Sequence, residues 1–166
     1  AAILANVEHK VSLISGVHDL LPNRVGGAAL QKNLETLGDI QYTQEEIDFA
    51  LELQRNNGKP EIGIDGKIRP LRETLSSPGG GSTDSGDVSY NVPVVSLAAT
   101  TAPKGVPWHS WSVVASSGMS IGHKGMLHAA KALGMTMVDI FKDSKLREDI
   151  KKEFDEKIGE YDYDPY

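Results

Sequence analysis

The sequence predicts an α/β protein in which a mixed sheet is flanked by helices. Three observations support this class: strand-like periodicity over residues 3–17, an apolar run over residues 92–100, and helical periodicity in the segments between and after them. Strands that alternate with helices are typical of a sheet covered by helical layers. The 166 residues suit one domain, and a hydrophobic content of 39% is enough for its core.

The two predicted strands have different patterns. In residues 3–17, Val7, Val11, Leu13 and Val17 are spaced by even steps, which favours an edge or terminal strand. Residues 92–100 are mostly apolar and begin beside a proline, which is typical of a buried strand near its first residue.

Two helices are predicted from their end signals. Asn23 stands in an N-cap position before an amphipathic run that Gly38 closes. Thr43 and Glu46 have the spacing of a capping box, in which each side chain accepts a hydrogen bond from the other residue's backbone. The adjacent acids Glu45 and Glu46 are therefore interpreted as the start of a helix and not as a pair of catalytic acids.

The C-terminal third is predicted to be helical. Residues 120–141 place apolar side chains on one face and several small residues that permit close packing. Asp143 can cap a last amphipathic helix over residues 145–157. The tyrosine-rich residues 161–166 are predicted to fray, as chain ends commonly do.

Composition excludes several functions. A formal charge of −6 argues against nucleic acid as the main partner, because phosphate binding needs a basic surface. The absence of cysteine excludes disulfides and thiolate nucleophiles and is compatible with the cytoplasm. The chain has no apolar run of membrane-spanning length and no signal peptide at its start, so no membrane partner is expected. Because the sequence opens at Ala1 and not at a methionine, we expect it to be part of a longer protein.

The most informative segment is the glycine-rich stretch of residues 78–87. Its glycines let backbone N–H groups approach a ligand closely, and Asp84 and Asp87 add carboxylates. No Lys-Ser/Thr pair follows, so it is not a phosphate-binding loop. A flexible linker with two turn-forming aspartates is an equally open interpretation. The candidate substrate-binding residues here are Gly80, Gly81, Ser82, Thr83, Asp84 and Asp87.

Three further residues are candidates. His109, between Trp108 and Trp111, could supply a metal-ligand nitrogen or could simply pack between the two rings. His123 lies in the first turn of the long predicted helix, where the helix dipole favours a neutral ring, and could contact substrate or belong to the core. Arg24 at a helix start could bind a substrate carboxylate or point into solvent. By contrast, His9 and His18 look structural.

Three segments in order resemble one family. Residues 18–23 (HDLLPN), residues 80–90 (GGSTDSGDVSY), and residues 109–111 (HSW) with 120–127 (SIGHKGML) look like the C-terminal portion of binuclear-metal amidohydrolases. This is the aminoacylase and carboxypeptidase superfamily, and the aminobenzoyl-glutamate utilization protein B branch is the most similar.

The resemblance implies a domain plan. It makes residues 1–17 the last strand of a lid or dimerisation domain, residues 18–160 the C-terminal part of a metallopeptidase catalytic domain, and residues 161–166 a tail. His109 then matches the family's last metal ligand. The Ser-Thr-Asp segment that ends at Asp84 matches the family's glycine-rich motif beside the active site. An alternative register sets residues 87–90 (DVSY) on the Asp-Phe-Ser-Phe type motif of related amidohydrolases, so Asp84 and Asp87 both remain open.

The resemblance also implies a reaction. Two divalent ions, zinc with manganese or cobalt as alternatives, would serve hydrolysis of the amide bond in a small N-acyl amino acid of the aminobenzoyl-glutamate type. The general-base glutamate and most metal ligands have no match in this chain. The expected partners are therefore the missing N-terminal part of the protein and a second copy joined through the lid. A catalytically inactive binding or assembly module, or a metal-free carboxylate-binding module, is the alternative.

Overall fold

The computed structural model describes residues 1–72 and 83–165, and helices dominate them. In chain order these helices are α1 (Ala2–Ala5), α2 (Arg24–Leu37), α3 (Gln44–Asn56), α4 (Ser85–Ser89), α5 (Trp111–Ser117), α6 (Ser120–Lys142) and α7 (Ser144–Ile158).

The α/β prediction is wrong. Among the described residues there is no sheet, and β-pairing is limited to one isolated parallel bridge between Pro22 and Val94. The first predicted strand begins instead with the short helix α1 and continues without regular structure. The second has no regular structure apart from that bridge.

The reason is that a strand needs a neighbour. Alternating side chains indicate which face of an extended segment is apolar, but the backbone N–H and C=O groups need a partner strand. Near residues 92–100 the chain supplies Pro22, which has no N–H to extend the pairing, and Asn23, whose N–H donates to Val94 O at 3.2 Å.

The assignment of residues 1–17 to a lid, and of 18–160 and 161–166 to a catalytic part and a tail, stays a prediction.

The predicted helix ends are confirmed. Asn23 Oδ1 accepts the Gly26 N–H at 2.8 Å, and Gly38 ends α2 with φ 75°, a conformation that glycine adopts at little cost. Thr43 and Glu46 form both hydrogen bonds of the capping box. Asp143 caps α7 by accepting the Leu146 N–H at 3.0 Å. These caps succeed as predictions because each depends on residues three positions apart.

Helix α6 is the centre of the packing and contacts α2, α5 and α7. Its inner face carries small residues, and a side chain at Gly125 would overlap the backbone carbonyl oxygen of Thr100. The buried apolar residues are Leu30, Ala50, Leu53, Val106, Ile121, Ala132 and Ile150. In the described ranges, no helix combines the length and apolar character needed to cross a membrane.

A buried carboxylate joins α3 to α6. Glu46 accepts hydrogen bonds from the Thr43 N–H at 2.7 Å and from Lys124 Nζ at 2.6 Å. Burial opposes ionisation of Glu46, but the hydrogen bonds from Lys124, Ser120 and Thr43 outweigh it and lower the pKa of Glu46 to about 2. The ionised form is therefore stabilised in the folded chain.

This carboxylate predicts a pH-dependent stability. Because the folded pKa of Glu46 lies below the ordinary value of 4.5, its contribution is present above about pH 4.5 and is lost as the pH falls towards 2. Glu46→Gln keeps the side chain's shape but removes its charge, so we expect it to lower the free energy of unfolding by about 2 kcal/mol at pH 7. Urea denaturation between pH 7 and pH 3 measures both effects.

The matched control is Glu45→Gln. Glu45 is the preceding residue of the same helix turn but is exposed, so its substitution should change stability by less than about 0.5 kcal/mol. If Glu46→Gln and the unmodified chain lose stability equally on acidification, the ion pair with Lys124 does not contribute as described.

Candidate functional site

Two segments singled out in the sequence lie against each other. Residues 18–21 run along α4, which begins within the glycine-rich stretch. Side chains of α4 and of the residue after it make hydrogen bonds to three of these four residues. Asp87 bonds to His18, Ser89 Oγ accepts the Leu21 N–H at 2.8 Å, and Tyr90 Oη donates to Asp19 at 2.8 Å. Two motifs distant in sequence thus form one surface.

His18 is the centre of this surface. Its Nδ1 lies 2.7 Å from Asp87 Oδ1, its backbone N–H donates to the same oxygen at 3.2 Å, and its Nε2 lies 2.6 Å from the Tyr161 hydroxyl. A carboxylate can only accept, so His18 Nδ1–H donates to Asp87. The hydrogen bonds from the ring and backbone of His18 hold the pKa of Asp87 below its ordinary value.

The C-terminal tail covers the imidazole. The ring centroid of His18 lies 5.8 Å from that of Tyr161, 5.3 Å from that of Tyr163 and 4.8 Å from that of Tyr90. Sequence reasoning missed this cluster, because it interpreted His18 as structural in isolation and the tail as frayed. The alternation of tyrosines in the tail was the available signal, since two aromatic rings two residues apart can contact one site.

The two candidate aspartates have different surroundings. Asp87 is held by His18, whereas Asp84 precedes α4, is exposed and does not cap the helix with its side chain. Thr83 is also exposed, and its hydroxyl lies 3.1 Å from that of Ser85. The predicted substrate-binding residues Gly80, Gly81 and Ser82 lie outside the described residues.

His109 occupies an exposed turn just before α5. Its φ of 59° is in the left-handed region, which few non-glycine residues adopt and which is common at functional sites. The two tryptophans that flank this turn are exposed as well, Trp108 by 69% and Trp111 by 60%. The imidazole is therefore not packed in the interior between the two indole rings.

The residues that the structure describes do not form a complete metal-binding site on their own. Among residues 1–72 and 83–165 no three His, Asp or Glu side chains lie close enough to form a metal site. A zinc ion that activates water needs about three protein ligands, and His109 could supply one. The His18–Asp87 pair is already satisfied by internal hydrogen bonds.

Arg24 lies at the wall of a cleft of about 760 Å³ between α2 and residues 65–72 and 94–106. Its guanidinium donates to the Arg72 carbonyl at 2.8 Å and is half-buried. The backbone N–H groups at the start of α2 are occupied by Glu153, which accepts from Arg24 at 2.8 Å and from Val25 at 2.7 Å. Any ligand of this cleft would therefore meet the guanidinium and not the helix terminus.

His123 is exposed in the first turn of α6. Within the described part of the chain, no hydrogen bond joins the side chains of His109, His123 or Arg24 to the His18 cluster. The structure thus joins Asp87 to His18, whereas the side chains of His109, His123 and Arg24 make no hydrogen bond to this pair among the described residues.

Comparison with known proteins finds a relative in Escherichia coli (strain K12). The B subunit of its p-aminobenzoyl-glutamate hydrolase is 31% identical over 177 aligned positions, which cover 92% of this chain and 37% of that protein. No protein-family model and no solved structure matches. The predicted resemblance is therefore confirmed: this chain is similar to a stretch that makes up about a third of a p-aminobenzoyl-glutamate hydrolase polypeptide.

Proposed function

We propose that this chain is part of a hydrolase that cleaves the amide bond of a small N-acyl amino acid of the aminobenzoyl-glutamate type. The observation that carries the proposal is the 31% identity over 92% of the chain to the B subunit of a hydrolase of that substrate. Water adds to the amide carbonyl and the C–N bond breaks, so that aminobenzoyl-glutamate would yield aminobenzoate and glutamate.

The described residues suit different parts of this task. Asp84 is exposed at the end of the glycine-rich segment, so we assign it to substrate contact. His18 holds Asp87, which in turn fixes α4, so these two are positioning residues. Arg24 would bind a substrate carboxylate at the wall of the cleft, whose volume is typical of small-molecule sites.

Two divalent ions, zinc with manganese or cobalt as alternatives, belong to the proposal through the resemblance. When bound, such ions polarise a carbonyl and acidify water. This chain would contribute His109 as one metal ligand. Its ring is exposed, so it could share a metal ion with ligands from outside the described residues. Alone, the chain is expected to bind metal poorly and to be inactive.

A chimera tests the proposal. The matched stretch of the Escherichia coli B subunit is replaced by this chain. Hydrolysis of p-aminobenzoyl-glutamate by the hydrolase that contains this subunit is followed by the release of glutamate. We expect a rate within about tenfold of that of the Escherichia coli protein, while the same protein lacking the stretch should be inactive.

A folded chimera that binds the substrate without hydrolysing it would support a binding or assembly module. Substrate binding that survives a chelator, again without hydrolysis, would support a metal-free carboxylate-binding module.

A further inference from the structure

Helix α6 presents an apolar face to solvent. Its inner face packs in the core, but the opposite face carries apolar side chains and one glycine at helical spacing. We call this the outer face of α6; it consists of Met126, Leu127, Ala130, Leu133, Gly134, Met137, Val138 and Phe141, all exposed. It is about 22 Å long at 1.5 Å per residue. Met137 is 58% exposed and Phe141 77%.

An apolar face of this length is uncommon on a protein that works alone, because monomers rarely leave extended apolar patches in water. Along this part of the helix the sequence has two charged residues, Lys131 and Asp139, and Asp139 accepts a hydrogen bond from Asn33 Nδ2 on α2 at 2.8 Å. A side chain placed at Gly134 would have no other atom within 4 Å, so the middle of the face is open to close approach. The face therefore has the character of an interface core, in which charge is depleted.

The extent of exposed apolar surface indicates how large the partner is. Leu13 and Ile14 in the N-terminal segment and Val114 on α5 are also exposed, by 75%, 92% and 73%. These residues belong to elements other than α6, so the exposed apolar surface is not confined to one helix face. A longer polypeptide that covers several elements would bury them all.

We propose that the outer face of α6 docks the part of the hydrolase that corresponds to the unmatched length of the Escherichia coli protein. Almost two thirds of that protein lies outside the match, which is enough polypeptide to cover several elements of this chain. The inference rests on the proposed function, since it takes this chain to be one part of such a hydrolase. The partner is therefore a folded polypeptide with a complementary apolar surface.

Thiol labelling tests the docking, because the chain has no cysteine of its own. The full 166-residue chain is co-expressed with a polypeptide carrying the unmatched part of the Escherichia coli protein. Met137→Cys reports on the outer face, and Lys152→Cys on exposed α7 is the matched control. We expect copurification, with maleimide labelling of Met137→Cys slowed by about tenfold or more in the complex and that of Lys152→Cys unchanged.

A second variant keeps the test independent of the labelling site. Met137→Lys places a charge on the face and should abolish copurification without unfolding the chain, since the residue is exposed. Failure of the unmodified chain to copurify, or labelling of Met137→Cys at the free rate in the complex, would overturn the proposal. Slow labelling of the chain alone that depends on its concentration would assign the face to a second copy instead.

The outcomes separate the docking surface from the proposed function. A complex that protects Met137→Cys but does not hydrolyse p-aminobenzoyl-glutamate supports the docking surface and counts against the reaction. A complex that hydrolyses the substrate while Met137→Cys stays accessible supports the reaction and refutes the docking surface.

Discussion

Replacing Gly86 by alanine is expected to separate α4 from residues 18–21 and to lower the free energy of unfolding by about 3 kcal/mol. A side chain at this position would overlap the backbone carbonyl oxygen of His18 and lie 2.8 Å from its carbonyl carbon. Both are backbone atoms and cannot move aside as a flexible side chain could. The separation breaks the hydrogen bonds between His18 and Asp87, so the imidazole Nδ1 proton should lose its protection from solvent exchange.

Urea denaturation and the NMR signal of that proton measure the two effects. Gly134→Ala is the matched control, because Gly134 lies inside a helix with open space around it. It should raise the free energy of unfolding by about 0.5 to 1 kcal/mol, as alanine favours helix over glycine. Equal stability of Gly86→Ala and the unmodified chain would contradict the close contact between α4 and residues 18–21.

The elements that can be predicted from sequence depend on local interactions. The N-cap at Asn23 and the capping box of Thr43 and Glu46 each involve residues three positions apart, so their pattern is complete within a short window. The long helix α6 is likewise predictable from its own periodicity. The two predicted strands fail because a strand is defined by a partner that no local pattern identifies.

The site is predictable only in its parts. Residues 18–23 and the glycine-rich segment both stand out in the sequence, but His18 and Asp87 are 69 residues apart and their hydrogen bond leaves no periodic pattern. Tyr161 is 143 residues from His18 and lies in a segment whose composition predicts fraying. Contacts of this length follow from the fold, and the fold class predicted from the sequence is wrong.

Replacing His109 by alanine in the Escherichia coli chimera is expected to lower the rate of p-aminobenzoyl-glutamate hydrolysis on the order of 100-fold or more. Loss of a residue that only orients a metal ligand costs up to about 100-fold in activity, and loss of the ligand itself should cost at least as much. With a chelator present, so that neither chimera holds metal, the unfolding temperature should be the same for both, since the ring is exposed and buries little area. His9→Ala is the matched control, as His9 is also exposed but lies outside the proposed site.

The metal content of the purified chimera, measured by elemental analysis beside the rate of hydrolysis, tests the central claim most directly. We expect the unmodified chimera to hold bound divalent metal and to hydrolyse the substrate, and the His109→Ala chimera to lose both while remaining folded. A His109→Ala chimera that retains its metal and its full rate would show that this chain does not supply a ligand to the hydrolase site.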